Sequence, residues 1–143
     1  MTDTLPVDGR RQRSARSQAA IVDAFLALLK SDGQRPSVDA VANRSGVSVR
    51  SIFRHFEDLD SLYAAAVDQR VDAVLASWDT GSVAASGKIA DRVDATVEAR
   101  SKLFEQLANV APLLEVMRGS NETVEAAAAK VSAATRAQAA ATF

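Results

Sequence analysis

A short stretch in the first half of the chain concentrates side chains that can bind a polyanion. Arg50 and Arg54 lie four residues apart, and His55, the only histidine of the chain, follows directly. A guanidinium group donates from a planar fork, so it can bind both acceptors of a guanine edge or two oxygens of one phosphate. The residue types and their spacing therefore predict hydrogen bonding to DNA.

The residues around this stretch predict two short helices that are joined by a tight turn. Ser37 is a candidate N-cap for the first helix, and Ser48 is one for the second. Gly46 lies between them, where a left-handed residue without a side chain is needed. Ile52 and Phe56 share one face of the second helix, one turn apart. Two short helices with a glycine in the turn are the helix-turn-helix pattern.

We call the predicted helix-turn-helix segment and the helix before it the head. The residues predicted to form its core determine which of its side chains face outward. Apolar residues of the short helices are expected to pack on Phe25 and Leu28 of the preceding helix. These residues are Val38, Val41, Val47, Ile52 and Phe56. An exposed helical surface of this kind fits the major groove, which is about 12 Å wide. We predict the following DNA-binding residues: Ser37, Ser48, Val49, Arg50, Ser51, Phe53, Arg54 and His55.

Within this set, Arg50 is the predicted base contact. Ser37 and Ser48 lie at helix N-termini, where backbone donors favour phosphate oxygens. Each side chain also has an ordinary structural role open to it. Ser37 and Ser48 are caps in the first place, and arginines such as Arg54 are often solvated surface charges. A single histidine is more often structural than a ligand.

The segment from Ser37 to Phe56, SVDAVANRSGVSVRSIFRHF, resembles the TetR family of one-component transcriptional regulators. The resemblance begins in the first predicted helix, from Ser14, and nothing of the family signature stands after Trp78. The residues at the matching positions are Ser37, Val41, Ala42, Gly46, Val47, Ser48, Ile52, Phe53, His55 and Phe56.

The resemblance implies a repressor that binds a palindromic operator in double-stranded DNA as a homodimer, without a cofactor. It also implies that His55 contacts a phosphate. Phe53 stands where the family often has Tyr, and Leu59 where it often has Lys, so two groups that bind phosphate are replaced. We expect nearby basic residues to offset this, namely Arg10, Arg11, Arg13 and Arg16.

Apolar spacing along the whole chain predicts helices and no strand, so the predicted fold class is all-α. One helix is expected from about Ser14 to Lys30, a long one from Asp58 to Trp78, and further helices after a loop at 79–87. We predict three segments: a flexible basic arm at 1–13, a helix-turn-helix DNA-binding domain at 14–57, and a helical effector-binding and dimerisation domain at 58–143. Compared with the family, that last domain is expected to be incomplete.

Apolar residues at and beyond the end of the long helix have two interpretations. They line a pocket for a small apolar ligand, or they form an ordinary helical core. The candidate pocket residues are Trp78, Phe104, Leu107, Leu113, Leu114 and Met117. A pocket favours a repressor that a ligand releases from DNA. A filled core favours an architectural or protein-interaction DNA-binding module with no small-molecule effector.

Charge is distributed unevenly along the chain. From Arg10 to Arg54 nine basic residues stand against three acidic ones, whereas from His55 onward eight basic residues stand against thirteen acidic ones. A basic N-terminal part followed by an acidic remainder is typical of a protein whose basic part binds a polyanion.

Composition argues against several other classes of function. The chain has no cysteine, one histidine and no glycine-rich phosphate loop, so we predict neither an enzyme nor a metal site. No apolar run approaches the roughly 20 residues that span a bilayer, and no apolar stretch follows the N-terminal arginines as in a signal peptide. We therefore predict a cytoplasmic protein with no membrane partner.

Overall fold

The computed structural model describes residues 6–78 and 87–143, and all regular structure in these residues is α-helical. The all-α prediction is thus confirmed for the described part of the chain. The helices, in chain order, are α1 (Pro6–Asp32), α2 (Val38–Ser45), α3 (Val49–His55), α4 (Leu59–Ser77), α5 (Ile89–Leu107), α6 (Ala111–Met117) and α7 (Glu122–Thr142). Across the two described ranges, none of these helices has both the length and the apolar content needed to cross a membrane.

The chain forms two compact units, and the boundary between them lies inside α4. Unit 1 comprises Met1–Ala66, and unit 2 comprises Val67–Phe143. The sequence predicts a domain boundary between residues 57 and 58, just before α4, whereas in the structure the first two turns of that helix belong to unit 1. Residues 79–86 of the predicted loop lie outside the described residues.

The core of unit 1 is built from one apolar stripe of α1 and short apolar turns of the next three helices. Ile21 and Phe25 of α1 are fully buried, as are Val41 of α2, Ile52 of α3 and Leu62 of α4. The ring of Phe25 also stacks on that of Tyr63, with 4.9 Å between centroids. Of the predicted contacts with this core, Val38, Val47 and Leu28 are only half-buried.

Helix α1 begins well before the predicted start. It starts at Pro6, so residues 6–13, which the sequence analysis assigned to a flexible arm, are helical and this boundary is wrong. Proline suits the first helical position, and arginine, glutamine and alanine are good helix formers. The lack of apolar periodicity accords with the described side chains, because from Asp8 to Ala19 they are exposed, apart from the half-buried Gly9 and Ser17.

The connection between α2 and α3 is set by three local interactions. Ser37 and Ser48 cap their helices, since each hydroxyl oxygen accepts from the backbone N–H three residues on, at 3.2 Å. Gly46 ends α2 in the left-handed conformation at φ +72°, and its N–H donates to the carbonyl of Ala42 at 3.0 Å. The predicted roles of Ser37, Gly46 and Ser48 in ending and starting these helices are confirmed.

Unit 2 packs α5 and α6 against α7 and is tied together by charged side chains at its edges. Arg70 of α4 donates twice to the carbonyl of Gln106 near the end of α5, at 3.0 and 2.7 Å. Lys130 of α7 bridges Asp68 and Asp72 of α4, at 2.8 Å each. The buried residues between these helices are Leu103, Leu107, Val110, Leu113, Met117, Val124, Ala127 and Gln138.

Replacing Gly46 by alanine isolates the cost of its backbone conformation. A Cβ at this position would meet no atom within 4 Å, so only the positive φ penalises the side chain. We expect Gly46→Ala to lower the free energy of unfolding by about 1–2 kcal/mol, measured by chemical denaturation.

Gly9→Ala is the matched control. Gly9 also has open space around its Cβ position, but it lies in α1 without a positive φ. The same substitution there is expected to leave stability unchanged or to raise it by up to about 1 kcal/mol. Equal effects at the two sites would contradict the left-handed turn.

Candidate nucleic-acid interface

Helix α3 divides its seven residues between the core and solvent. Ile52 is buried, and the cap residue Phe56 is buried one turn later. Arg50, Phe53 and Arg54 point away from this face and are exposed, and Phe53 keeps 44% of its surface accessible. The remaining predicted DNA-binding residues of this helix are half-buried, namely Val49, Ser51 and His55. The structure therefore places three of the predicted side chains on one open surface.

The two arginines of α3 differ in their surroundings. Arg54 has a long hydrogen bond, 3.5 Å, from its guanidinium to the hydroxyl of Ser51. In the described structure Arg50 has neither an ion pair nor a hydrogen bond, so its whole donor fork is available to a ligand. The better candidate for a base contact is thus Arg50, which lies one residue after the start of α3.

Capping does not prevent the serines from binding phosphate. The cap uses an oxygen lone pair of Ser37 or Ser48, whereas a phosphate would accept the hydroxyl hydrogen. Both residues are exposed, so an anion can reach them. The structural and the ligand-binding interpretations of these serines are therefore compatible.

His55 is less open than the sequence suggested. Its Nε2 is buried and has no hydrogen-bond partner among the residues that the structure describes. A phosphate contact by this residue consequently needs the other ring nitrogen, or a rotation of the ring that frees Nε2. A buried nitrogen without a partner costs about 1–3 kcal/mol, which such a rotation or a bound water would relieve.

Arg35 is an exposed cation just before α2 and is not among the predicted DNA-binding residues. Its guanidinium carbon lies 5.4 Å from the centre of the Tyr63 ring, an attractive cation–π geometry. Burial raises the pKa of Tyr63, and the positive charge of Arg35 opposes this rise. Only the position of Arg35 in the sequence, two residues before the N-cap Ser37, could have indicated it as a candidate DNA-binding residue.

Asp58 fixes the start of α4 directly after α3. Its Oδ1 accepts from both the hydroxyl and the backbone N–H of Ser61, at 2.7 Å each. These two hydrogen bonds lower the pKa of Asp58, with the hydroxyl contributing most. The carboxylate form is thus the one that holds this helix start.

The six predicted pocket residues do not line one cavity. Phe104, Leu107 and Leu114 border a groove of about 730 Å³ between α5, α6 and α7. Leu113 and Met117 are buried and are not among its lining residues, because they lie one turn apart on the inner side of α6. The six residues therefore do not form the single site that was predicted, since three of them border this groove and two lie in the core.

Trp78 borders a different cavity of unit 2. Its indole Nε1 donates to the carbonyl of Ala99 at 3.1 Å, which holds the ring against the middle of α5. The cavity there measures about 490 Å³ and is bordered by charged and polar side chains, including Glu98, Lys102 and Gln106. Its lining is therefore more polar than that of the groove at Phe104.

No cluster of three or more histidine or acidic side chains able to hold a metal ion occurs within residues 6–78 and 87–143. Comparison of the chain with protein-family models, with curated proteins and with solved structures found no match in any of the three. The assignment of function therefore depends on the residues themselves.

The cap at Asp58 predicts a contribution to stability that depends on pH. A carboxyl group whose pKa is lowered by folding stabilises the fold above its unfolded pKa, near 4, and loses this effect as the pH falls through the folded value. Asp58→Ser keeps a cap but does not titrate. We expect the stability difference between the parent chain and this variant to shrink as the pH falls below about 4.

Glu57→Gln is the control for this measurement, because it removes the neighbouring exposed carboxylate, which has no described hydrogen bond. Unfolding by urea at a series of pH values measures both variants. An acid dependence in Asp58→Ser that equals that of the parent chain would contradict the role of this carboxylate.

Proposed function

We propose that this chain is a sequence-specific DNA-binding transcriptional regulator of the TetR type. It acts in the cytoplasm as a repressor, and a small apolar ligand releases it from a palindromic operator. The observation that carries the proposal is the unit formed by α2, the left-handed turn at Gly46 and α3. In this unit Ile52 and Phe56 are buried while Arg50 is exposed and unpaired in the described structure.

Side-chain chemistry supports major-groove binding by α3. Arg50 lies in the first turn of α3, where a recognition helix contacts base edges. Phe53 is exposed on the same short helix, and an apolar side chain there can pack against a thymine methyl group or the sugar-phosphate wall. Ser37, Ser48 and Arg54 supply donors for phosphates beside the groove.

We propose that two copies of the chain bind together. One short recognition helix buries too little surface for tight, specific binding, and a symmetric dimer is the most common solution. The operator would then have two half-sites about 34 Å apart, or somewhat more. Light scattering on the free and the DNA-bound protein tests this, and a mass equal to one chain in both states would contradict it.

The groove between α5, α6 and α7 is the proposed effector site. Its volume of about 730 Å³ falls within the range of small-molecule pockets. Leu107, Leu114 and Val131 give it apolar walls, and Phe104 adds an aromatic surface that is 54% exposed. The two charges at its border, Glu115 and Arg118, are opposite in sign, lie 3.9 Å apart and are exposed to solvent. The groove therefore suits a mainly apolar ligand.

A second candidate function is a DNA-binding module that recruits another protein and has no effector. The observation that favours it is an exposed apolar stripe on α5, formed by Ile89, Val93 and Val97. Contiguous exposed apolar side chains of this kind are characteristic of protein-interaction surfaces. A ligand screen against the groove separates the two functions.

Selection of bound sequences from random DNA tests the main proposal, and the recovered site then serves to test Arg50. We expect Arg50→Ala to weaken binding to the selected site by about 1–3 kcal/mol and to change binding to random DNA much less. Fluorescence anisotropy of labelled duplexes measures both affinities. Arg136→Ala, an exposed arginine of α7, is the control and is expected to leave both unchanged.

Failure to recover any enriched sequence would contradict sequence-specific binding. An equal loss on selected and random DNA in Arg50→Ala would contradict base contact and leave Arg50 as a phosphate contact.

Filling the groove tests the effector site. Ala128 of α7 is half-buried and lines the groove, whereas the next residue, Ala129, is exposed and does not. A compound from a library of apolar and aromatic molecules should raise the melting temperature and lower operator affinity at the same concentrations.

Ala128→Phe is expected to abolish both responses to such a compound while DNA affinity without ligand stays unchanged. Ala129→Phe should respond as the parent chain does. A library that yields no stabilising compound would favour the recruiting module instead.

A further inference from the structure

Helix α1 extends well beyond the core that it helps to build. Among the described side chains of this helix, from Asp8 onward, the first that is fully buried is Ile21, although the helix begins at Pro6. The 14 residues from Pro6 to Ala19 span about 21 Å at 1.5 Å per residue. From Asp8 onward their side chains face solvent almost throughout. Among the described side chains, those of residues 8–19 thus contribute nothing to the buried core of unit 1.

The same part of α1 is strongly basic. It contains four arginines within seven residues, and no acidic residue stands between Asp8 and Asp23. The arginines are Arg10, Arg11, Arg13 and Arg16. All four are exposed, and none has an ion pair in the described structure. Their single described hydrogen bond is local, from Arg13 Nε to the carbonyl of Gly9 at 3.1 Å.

The composition of this surface selects the chemistry of its partner. A helix that binds a membrane surface needs a large apolar face beside its basic one. Between Gly9 and Ile21 the apolar side chains are only those of Ala15, Ala19 and Ala20. The surface therefore suits a hydrophilic polyanion with a regular array of phosphates.

The spacing of the arginines fits a phosphate backbone. Arg10, Arg13 and Arg16 follow each other at intervals of three residues, so they form one ridge along the helix. The 21 Å length of the extension corresponds to about six base-pair steps of 3.4 Å. A duplex that lies along the extension can thus offer several phosphates to one ridge.

The helical conformation of this segment and its binding to phosphates are expected to depend on each other. The end of a helix that has no tertiary contacts opens at little cost in free energy, and neighbouring positive charges destabilise it further. Phosphates that neutralise these charges remove the repulsion. Binding and helix formation therefore stabilise each other, as in other segments that become ordered on binding.

We propose that residues 8–19 of α1 form a second DNA-contacting element, which binds the phosphate backbone of duplex DNA as a helix and becomes more ordered when it does so. The proposal rests on the DNA-binding function proposed above, and it adds an element outside α2 and α3. The proposed role of this element is to raise the affinity for DNA and to become ordered on binding, whereas Arg50 discriminates between DNA sequences.

Paired charge removal tests the contact. Arg10→Gln/Arg16→Gln removes two charges from the ridge, and Lys88→Gln/Arg136→Gln removes two exposed charges from unit 2. Each phosphate contact contributes about 0.9 to the slope of log affinity against log salt, or roughly fivefold in affinity at about 0.15 M salt. We expect the α1 variant to lose about 2 in slope and roughly 30-fold in affinity on random duplex, and the unit 2 variant to lose neither.

Helix-altering substitutions test the conformation without changing the charge. Ala15→Gly lowers helix propensity in the middle of the extension, and Gly9→Ala raises it near the start. We expect duplex affinity to fall several-fold in the first variant and to rise in the second. Amide hydrogen exchange in residues 8–19 of the full chain should slow on addition of duplex. An affinity that ignores both substitutions would overturn the helical mode of binding.

The outcomes separate this proposal from the proposed function. If the α1 variant keeps the parental salt slope while Arg50→Ala still loses site preference, the second element is overturned and the regulator stands. If no sequence is enriched but random duplex binds with a slope that depends on Arg10 and Arg16, the phosphate contact is supported and the regulator is contradicted. Preference for single-stranded RNA over duplex DNA through the same arginines would overturn duplex as the ligand.

Discussion

The structure of unit 1 depends on the burial of very short apolar surfaces against α1. Helices of eight and seven residues, such as α2 and α3, do not persist in water by themselves. They are held here because Val41 and Ile52 are fully buried in the core that Ile21 and Phe25 of α1 provide. Each such side chain contributes about 1.5–3 kcal/mol by leaving water. The orientation of every exposed residue of α3 follows from these few contacts.

That constraint also explains why capping is so complete in the head. A seven-residue helix leaves most of its backbone N–H and C=O groups without partners inside the helix. Ser37 and Ser48 each satisfy one donor, and Gly46 allows the end of α2 to close on Ala42. Asp58 repeats the device for α4. The stacking of Phe25 on Tyr63 then joins α1 to the start of α4.

The parts of the fold that were predictable are those that local chemistry determines. The caps, the left-handed glycine, and Pro112 in the first turn of α6 can be read from residue type and spacing. The start of α1 could not, because apolar periodicity signals packing and the described side chains of this segment are almost all exposed. The sequence also did not show which of the predicted pocket residues face the groove and which face the core. Adjacent residues such as Leu113 and Leu114 differ by 100° around α6, so one is buried while the other lines the groove. The partial burial of His55 likewise arises from tertiary packing.

One structural feature has a spectroscopic consequence. The chain contains a single tyrosine and a single tryptophan, and each lies in a different unit. Tyr63 is 6% exposed in the core of unit 1, where it stacks on Phe25. Trp78 is held in unit 2 by its hydrogen bond to Ala99. Tyr63 and Trp78 therefore lie in different units, and emission excited at wavelengths that tyrosine does not absorb reports on the surroundings of Trp78 in unit 2 without any label.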